Sequence, residues 1–392
     1  MLLRLAPILG ITFIDILGFS ILIPLLPYFV KHFGVGDVVV GLLFATFAAT
    51  QFIGSPIWGN ISDRIGRKRV LIISQVGATI GWAMLAFAPS IGWVFVARLV
   101  EGLAGGNISV TKAYVADLVE PEHRGRAFSY IGATFSGGLI FGPAFGGLLV
   151  DRYGFSAPFL AAAALQVVTL LATIAFLPES LSKTEETNVA SFTEIVSSLK
   201  DPRVAPVLLQ DLVYSMGLFG WFSVFALILG AQLHFGPGDT SRLFSAFGVI
   251  SVILQVFVVG RITEALGNRV TSTLGFASLI LSFAFAPFMH DLWGAALLSI
   301  TFSFGMSHIN ATIPALLTEN APPNLRGTIL GSSASLEAFS GIAMPPISTG
   351  VLGAVGTAGP AAISATFTAV ALALGVRAAL VKTPAPDATL VE

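Results

Sequence analysis

Three observations predict an all-α integral membrane protein of twelve transmembrane helices in two pseudo-symmetric six-helix bundles. The first is composition: of 392 residues, 55% are hydrophobic and 10% charged, where soluble domains carry roughly 25% charged residues. The second is segmentation, because apolar runs of the ~20 residues needed to cross a hydrocarbon core recur along the chain. The third is an internal repeat. The segment Gly59-Asn60-Ile61-Ser62-Asp63-Arg64-Ile65-Gly66-Arg67-Lys68-Arg69 returns 201 residues later in fainter form, as Gly260-Arg261-Ile262-Thr263-Glu264-Ala265-Leu266-Gly267-Asn268-Arg269.

The runs of the first half lie near residues 5–30, 39–58, 70–88, 91–117, 127–150 and 157–177. Those of the second lie near 205–232, 241–260, 270–287, 292–318, 327–352 and 359–381. A β-barrel is excluded: its strands would be ~10 residues long with alternating polarity, and these runs are longer and apolar on most faces. Glycine and proline inside them are tolerated by membrane helices. The first run lacks a small-residue cleavage site and is too long for a signal peptide, so it is expected to stay as a span. Residues 1–177 form one bundle, 178–204 a polar connection and 205–392 the second bundle. The stretch Glu179 to Glu186 reads as a flexible linker. Ser191 and Glu194 then fit a capping box, with Phe192, Ile195, Val196 and Leu199 on one face; a surface helix and a plain linker fit equally well.

The repeat extends further. Gly59, Asp63, Gly66 and Lys68 fall on Gly260, Glu264, Gly267 and Arg269. At an offset of 202, Asp117 and Arg124-Gly125 match Glu319 and Arg326-Gly327, and Pro143 matches Pro345. Parallel six-span repeats are an architecture typical of secondary transporters. Alternate loops beginning at the N-terminus hold fifteen Lys and Arg against three in the others. By the positive-inside rule both termini are expected in the cytoplasm.

The same reading excludes other classes. With no cysteine, disulfide and thiolate chemistry are impossible. There is no ATP-binding P-loop, no His-Glu-x-x-His and no Gly-x-Ser-x-Gly, so an enzyme is not expected. A net charge of −1 gives no case for nucleic acid. No metal or cofactor is expected. The partners are the lipid bilayer and a small solute, and a monomer is expected.

Several motifs together carry a family resemblance. The turn Gly59 to Arg69 resembles the signature between spans two and three of the major facilitator superfamily. Arg98-Leu99-Val100-Glu101-Gly102, with Gly105 and Gly106 following, resembles that family's span-four motif. Gly138, Gly142, Pro143, Gly146 and Gly147 resemble the span-five motif of its drug:proton antiporters. Asp15, with Pro24 and Pro27 beyond it, and Ala116-Asp117 ahead of Arg124 are similar to the tetracycline-efflux group. The resemblance covers the whole chain and is strongest over residues 1–180. It implies the major facilitator fold, a plasma (inner) membrane location, protons as co-substrate and a drug-like solute. Tetracycline pumps typically carry further acids in spans three and nine, which this chain lacks; tetracycline with metal is therefore a doubtful substrate.

The residues have physical readings of their own. Gly59 and Gly66 permit tight turns. Asp63 can accept hydrogen bonds from a helix N-terminus or a facing arginine, while Arg64, Arg67 and Lys68 can reach carboxylates such as Asp117. With Gly260, Glu264, Gly267, Arg269 and Arg124, they form the expected cytoplasmic gate; a simple topological anchor is the alternative. The span-five glycines sit at the spacing that lets helices pack closely.

Ionisable residues inside spans are costly, and each is a functional-site hypothesis. Asp15 and Glu337 are the proton-coupling candidates. Arg98, Glu101, Gly105, Ser109 and Lys112 fall on one face at 100° per residue and are read as a polar stripe facing a cavity, although Arg98 and Glu101 at i,i+3 also suit a mutual pair. Lys112 needs an anion from Asp15, Glu337 or substrate. Ser333 and Ser340 share the face of Glu337, and His308 with Thr312 lines span ten. Asp211 stands near the end of span seven, within reach of water. The function expected is proton-coupled export of small amphipathic molecules by alternating access. The alternatives are an organic-anion facilitator or importer using Lys112, and a non-transporting sensor.

Overall fold

A computed structural model describes residues 2–105, 107–119, 124–180, 198–322 and 325–380. The capping-box stretch beginning at Ser191 lies outside them. The first half contains α1 (Leu2–Lys31), α2 (Asp37–Ile65), α3 (Arg67–Ala86), α4 (Ile91–Ala104), α5 (Asn107–Leu118), α6 (Arg124–Tyr153) and α7 (Ser156–Phe176). The second contains α8 (Ala205–Leu233), α9 (Pro237–Leu254), α10 (Gly260–Phe285), α11 (Leu292–Asn320), α12 (Arg326–Val355) and α13 (Ala358–Leu380). No strand occurs among the described residues.

Nine helices among the described residues are long and apolar enough to cross a membrane. One of these, Pro237–Phe288, is 52 residues long and supplies two spans. A π-helical turn, Gln255–Val259, carries α9 into α10. The chain turns only at Gly267, at φ 77°, ψ 164°. The fourth span is broken into α4 and α5 at Gly105, whose ψ of 24° is not helical.

The backbone displays the repeat more fully than the sequence does. Six described residues have positive φ: Gly34, Gly66 and Gly154 in the first half, His234, Gly267 and Gly356 in the second. They pair in order at offsets of 200, 201 and 202. Packing repeats as well. In the first half α1 packs on α6 and α7, and α3 on α4 and α7; in the second, α8 packs on α12 and α13, and α10 on α11 and α13. Each half has its own apolar interior, one around Trp82 and Phe159, the other around Trp221, Phe225 and Phe283. Trp221 and Phe225 are fully buried core residues. Large apolar side chains such as Ile53, Ile57, Leu171 and Ile253 are exposed, as expected where the neighbour is lipid.

The halves meet along α2 with α12 and α6 with α9. The contacts between them cluster toward one end of the bundle. There the Tyr28 hydroxyl lies 2.6 Å from Thr240 Oγ1, 3.0 Å from Phe235 O and 3.1 Å from Ala226 O. Having one proton, it donates to one carbonyl at a time. Arg242 donates to Asp151 across the halves at 3.0 Å. The other end carries the turn Gly59–Arg69 and its copy, and is called the basic end below.

Candidate functional site

The turn at the basic end is built around one buried arginine. Gly66 adopts φ 109°, ψ 144° between α2 and α3, a region open essentially to glycine alone. That turn directs Arg67 inward, where it is 3% exposed. Its guanidinium meets Asp63 Oδ1 at 2.5 Å, Ser62 Oγ at 2.5 Å and Asp117 Oδ2 at 3.2 Å. The Glu179 carboxylate receives the backbone N–H of Arg67 at 2.8 Å and of Lys68 at 3.3 Å, placing a negative charge at the positive end of α3. Lys68 donates to Ile174 O at 2.8 Å.

Three expectations need correction here. Lys68 reaches a carbonyl rather than a carboxylate, and Arg64 is exposed. The partners of Arg67 and Lys68 all belong to the first half, so the turn fastens that half to itself rather than to the other. Glu179, read as the start of a flexible linker, is held against α3, while Pro178 O accepts from Tyr114 at 3.0 Å. The Arg124 side chain lies outside the described residues.

The copy is a reduced version. Asn268 stands where the first half has Arg67 and donates to Glu319 Oε1 at 2.5 Å, as Arg67 does to Asp117. Arg269 donates to Ala378 O at 3.1 Å, as Lys68 does to Ile174. Glu264 is exposed, and a β-carbon at Gly260 or Gly267 would meet nothing within 4 Å.

The interior charges divide into structural and cavity groups. Arg98 and Glu101 form an ion pair at 1% and 5% exposure inside the first half. The guanidinium lies 5.6 Å from the ring centres of both Phe47 and Trp82, within cation–π range. The two side chains satisfy each other inside the bundle, contrary to the cavity face expected of them. The break at Gly105 ends the 100° periodicity, so Lys112 does not continue their face. His308 and Thr312 are also corrected: both are fully buried inside the second half. His308 Nδ1 contacts Phe304 O at 2.6 Å, its ring stacks on Phe304, and Thr312 donates to His308 O. The Ser109 side chain lies outside the described residues.

Lys112 and Glu337, by contrast, are exposed. Glu337 lies about 16 Å along α12 from its start, at 1.5 Å per residue, and both Lys112 and Asp211 are within electrostatic reach of it. Lys112 belongs to the first half, Asp211 and Glu337 to the second. Asp211 is 3% exposed and accepts from Ser333 Oγ at 2.5 Å, so it does not reach bulk water as its position near a span end suggested. Ser340 donates to Leu336 O at 3.1 Å, and packs toward α8. Asp15 accepts from Gln166 Nε2 of α7 at 3.0 Å and is partly exposed.

Comparison with known proteins now decides the family. The model of the Major Facilitator Superfamily matches residues 8–345 and again 212–390. The chain belongs to the Major Facilitator Superfamily. It is a membrane transporter, not an enzyme. It is 30% identical to the class C tetracycline resistance protein of Escherichia coli, over 88% of this chain and 89% of that one. Multidrug resistance protein 2 of Bacillus subtilis is 28% identical over 67% of each chain. The crystal structure of the human organic anion transporter MFSD10 (TETRAN) superposes with a TM-score of 0.73 at 21% identity, covering 95% of this chain and 98% of that one. The nucleoside transporter NupG gives 0.77 at 15% identity, over 97% and 98%.

The family's span-five motif has a packing role in this structure. Gly138, Gly142 and Gly146 face α1: a β-carbon at Gly138 would lie 2.7 Å from Ile16 Cγ2, and one at Gly142 2.6 Å from Leu17 O. Ser20 donates to Gly138 O at 2.7 Å across that contact. Gly147 faces the second half, where a β-carbon would lie 2.6 Å from Ser241 Cβ. Pro143 is buried in the middle of α6.

Proposed function

We propose that this chain exports small amphipathic, drug-like molecules in exchange for protons by alternating access. It would do so in the plasma (inner) membrane, with both termini and the basic end in the cytoplasm. The charge asymmetry of the loops supports that orientation, and the likeness to tetracycline and multidrug resistance proteins supports the direction and solute class. The contacts between halves gather at the opposite end, which suits a state closed toward the outside.

The observation that carries the reading is the charge set across the two halves. Glu337 is exposed within a span, with Asp211 on its own half and Lys112 on the other. An ionised Glu337 attracts Lys112, and a protonated one does not. Proton loading thereby changes the attraction between the halves, which is the linkage an antiporter requires. Asp15, tied to Gln166, is the second proton candidate.

Flux in proteoliposomes under an imposed pH gradient tests this, with cationic, zwitterionic and anionic compounds. Gradient-driven flux should be lost in Glu337→Gln and in Asp15→Asn. Flux that survives both changes together would overturn the coupling assignment. The exposure of Lys112 favours one second reading, organic-anion facilitation. It predicts gradient-independent flux of anions only, abolished in Lys112→Ala.

A further inference from the structure

A cavity of about 370 Å³ lies at the basic end of the second half, between the start of α8, the start of α10 and the ends of α11 and α13. Arg203, Arg269 and Arg377 line it with Gln210 and Asn320, and no acid is among its lining residues. Arg203 is held by Asp201, outside the lining, through Nε–Oδ1 and Nη2–Oδ2 bonds of 3.1 and 2.9 Å. Arg269 spends one N–H on Ala378 O. Arg377 has no acidic partner among the described residues. Among the described residues, three guanidinium groups therefore stand against one carboxylate.

The first half sets an acid against its own copy of the adjoining turn. There the Glu179 carboxylate sits over the positive-φ glycine and the first amides of α3, and a β-carbon on Gly66 would lie 2.8 Å from its carboxyl carbon. At the repeat's offset Glu179 falls on Leu380 or Val381, neither of them acidic. The space over Gly267 is empty to 4 Å. Among the described residues the second half thus keeps the turn, adds arginines and sets no acid over Gly267.

We propose that this cavity binds the phosphate of an anionic phospholipid headgroup. Arginine pairs with phosphate through parallel N–H bonds, and basic pockets between spans at the membrane surface suit such headgroups. A lipid fits better than a free anion because exposed apolar side chains adjoin the arginines: Leu209 lines the cavity and is 39% exposed, and Val270, beside Arg269, is 47% exposed. These give acyl chains a path from the headgroup into the hydrocarbon. The proposal rests on the membrane-spanning reading and not on the solute transported.

Native mass spectrometry of the full chain, delipidated in detergent and titrated with phosphatidylglycerol or phosphatidylcholine, tests it. Phosphatidylglycerol should be retained preferentially. Arg377→Gln, which removes no described hydrogen bond, should weaken that retention about fivefold, and Arg269→Ala with Arg377→Gln about thirtyfold. Arg261→Ala, outside the cavity, should leave it unchanged. Equal retention by the double variant and the parent would overturn the site. Inorganic phosphate displacing the lipid at equal concentration would overturn the lipid as its occupant in favour of a free anion. Since retention is read without transport, a failure of the export assignment leaves this result standing.

Discussion

The turn Gly59–Arg69 and its copy Gly260–Arg269 share a backbone but differ in how they are held. Both bend at a positive-φ glycine, and both direct a donor at an acid one helix pair away, Arg67 at Asp117 and Asn268 at Glu319. Both send the next cation to a carbonyl at the end of the half's last helix. The first turn buries a full charge among two carboxylates and a hydroxyl and adds Glu179 at the head of α3. The second replaces that charge with a neutral amide and, among the described residues, sets no acid over its glycine. Geometry is thus the inherited part of the repeat, and the charges placed on it vary between halves.

The largest break in this comparison should come from Arg67→Ala. It leaves Asp63 and Asp117 without their shared cation and should cost about 3 kcal/mol, as removal of one partner from a buried pair does. Asn268→Ala should cost about 1 kcal/mol, the scale of one hydrogen bond. Thermal unfolding in detergent, followed by tryptophan fluorescence, reads both; equal shifts would mean that burial of Arg67 carries no special weight. Next come Gly66→Ala and Gly267→Ala, each forced into a glycine-only region at roughly 1–3 kcal/mol. Gly66→Ala should be the worse, because its β-carbon also displaces Glu179, whereas that of Gly267→Ala enters open space. Glu179→Gln should cost roughly 0.5–1 kcal/mol by removing charge from the α3 N-terminus, with the difference shrinking as salt is raised. The smallest change is expected from Asn268→Arg, which rebuilds the first-half pair against Glu319 on an exposed surface and should stabilise by under about 1 kcal/mol.

Much of this was legible before the fold was known. The apolar runs, the offset of about 200 residues and the loop charges depend on local composition and periodicity. The i,i+3 spacing of Arg98 and Glu101 already suited the pair that forms. Their assignment to a cavity face failed because it extended an unbroken helix through Gly105. Glu179 carried a usable signal, an acid just past the last span of the first half, but its partner lies 112 residues away. The position of Asp211 near a span end says nothing about the Ser333 hydroxyl brought against it from α12.

By itself, then, the sequence determined the membrane class, the twofold internal repeat and the set of charges available for function, because each is written in neighbouring residues. Tertiary structure alone decided which arginine is buried, that Glu337 has Asp211 and Lys112 within electrostatic reach, and which arginines line the cavity at the basic end of the second half. Those outcomes turn on distances between helices far apart along the chain, and an interior charge acquires its meaning from whatever packs opposite it.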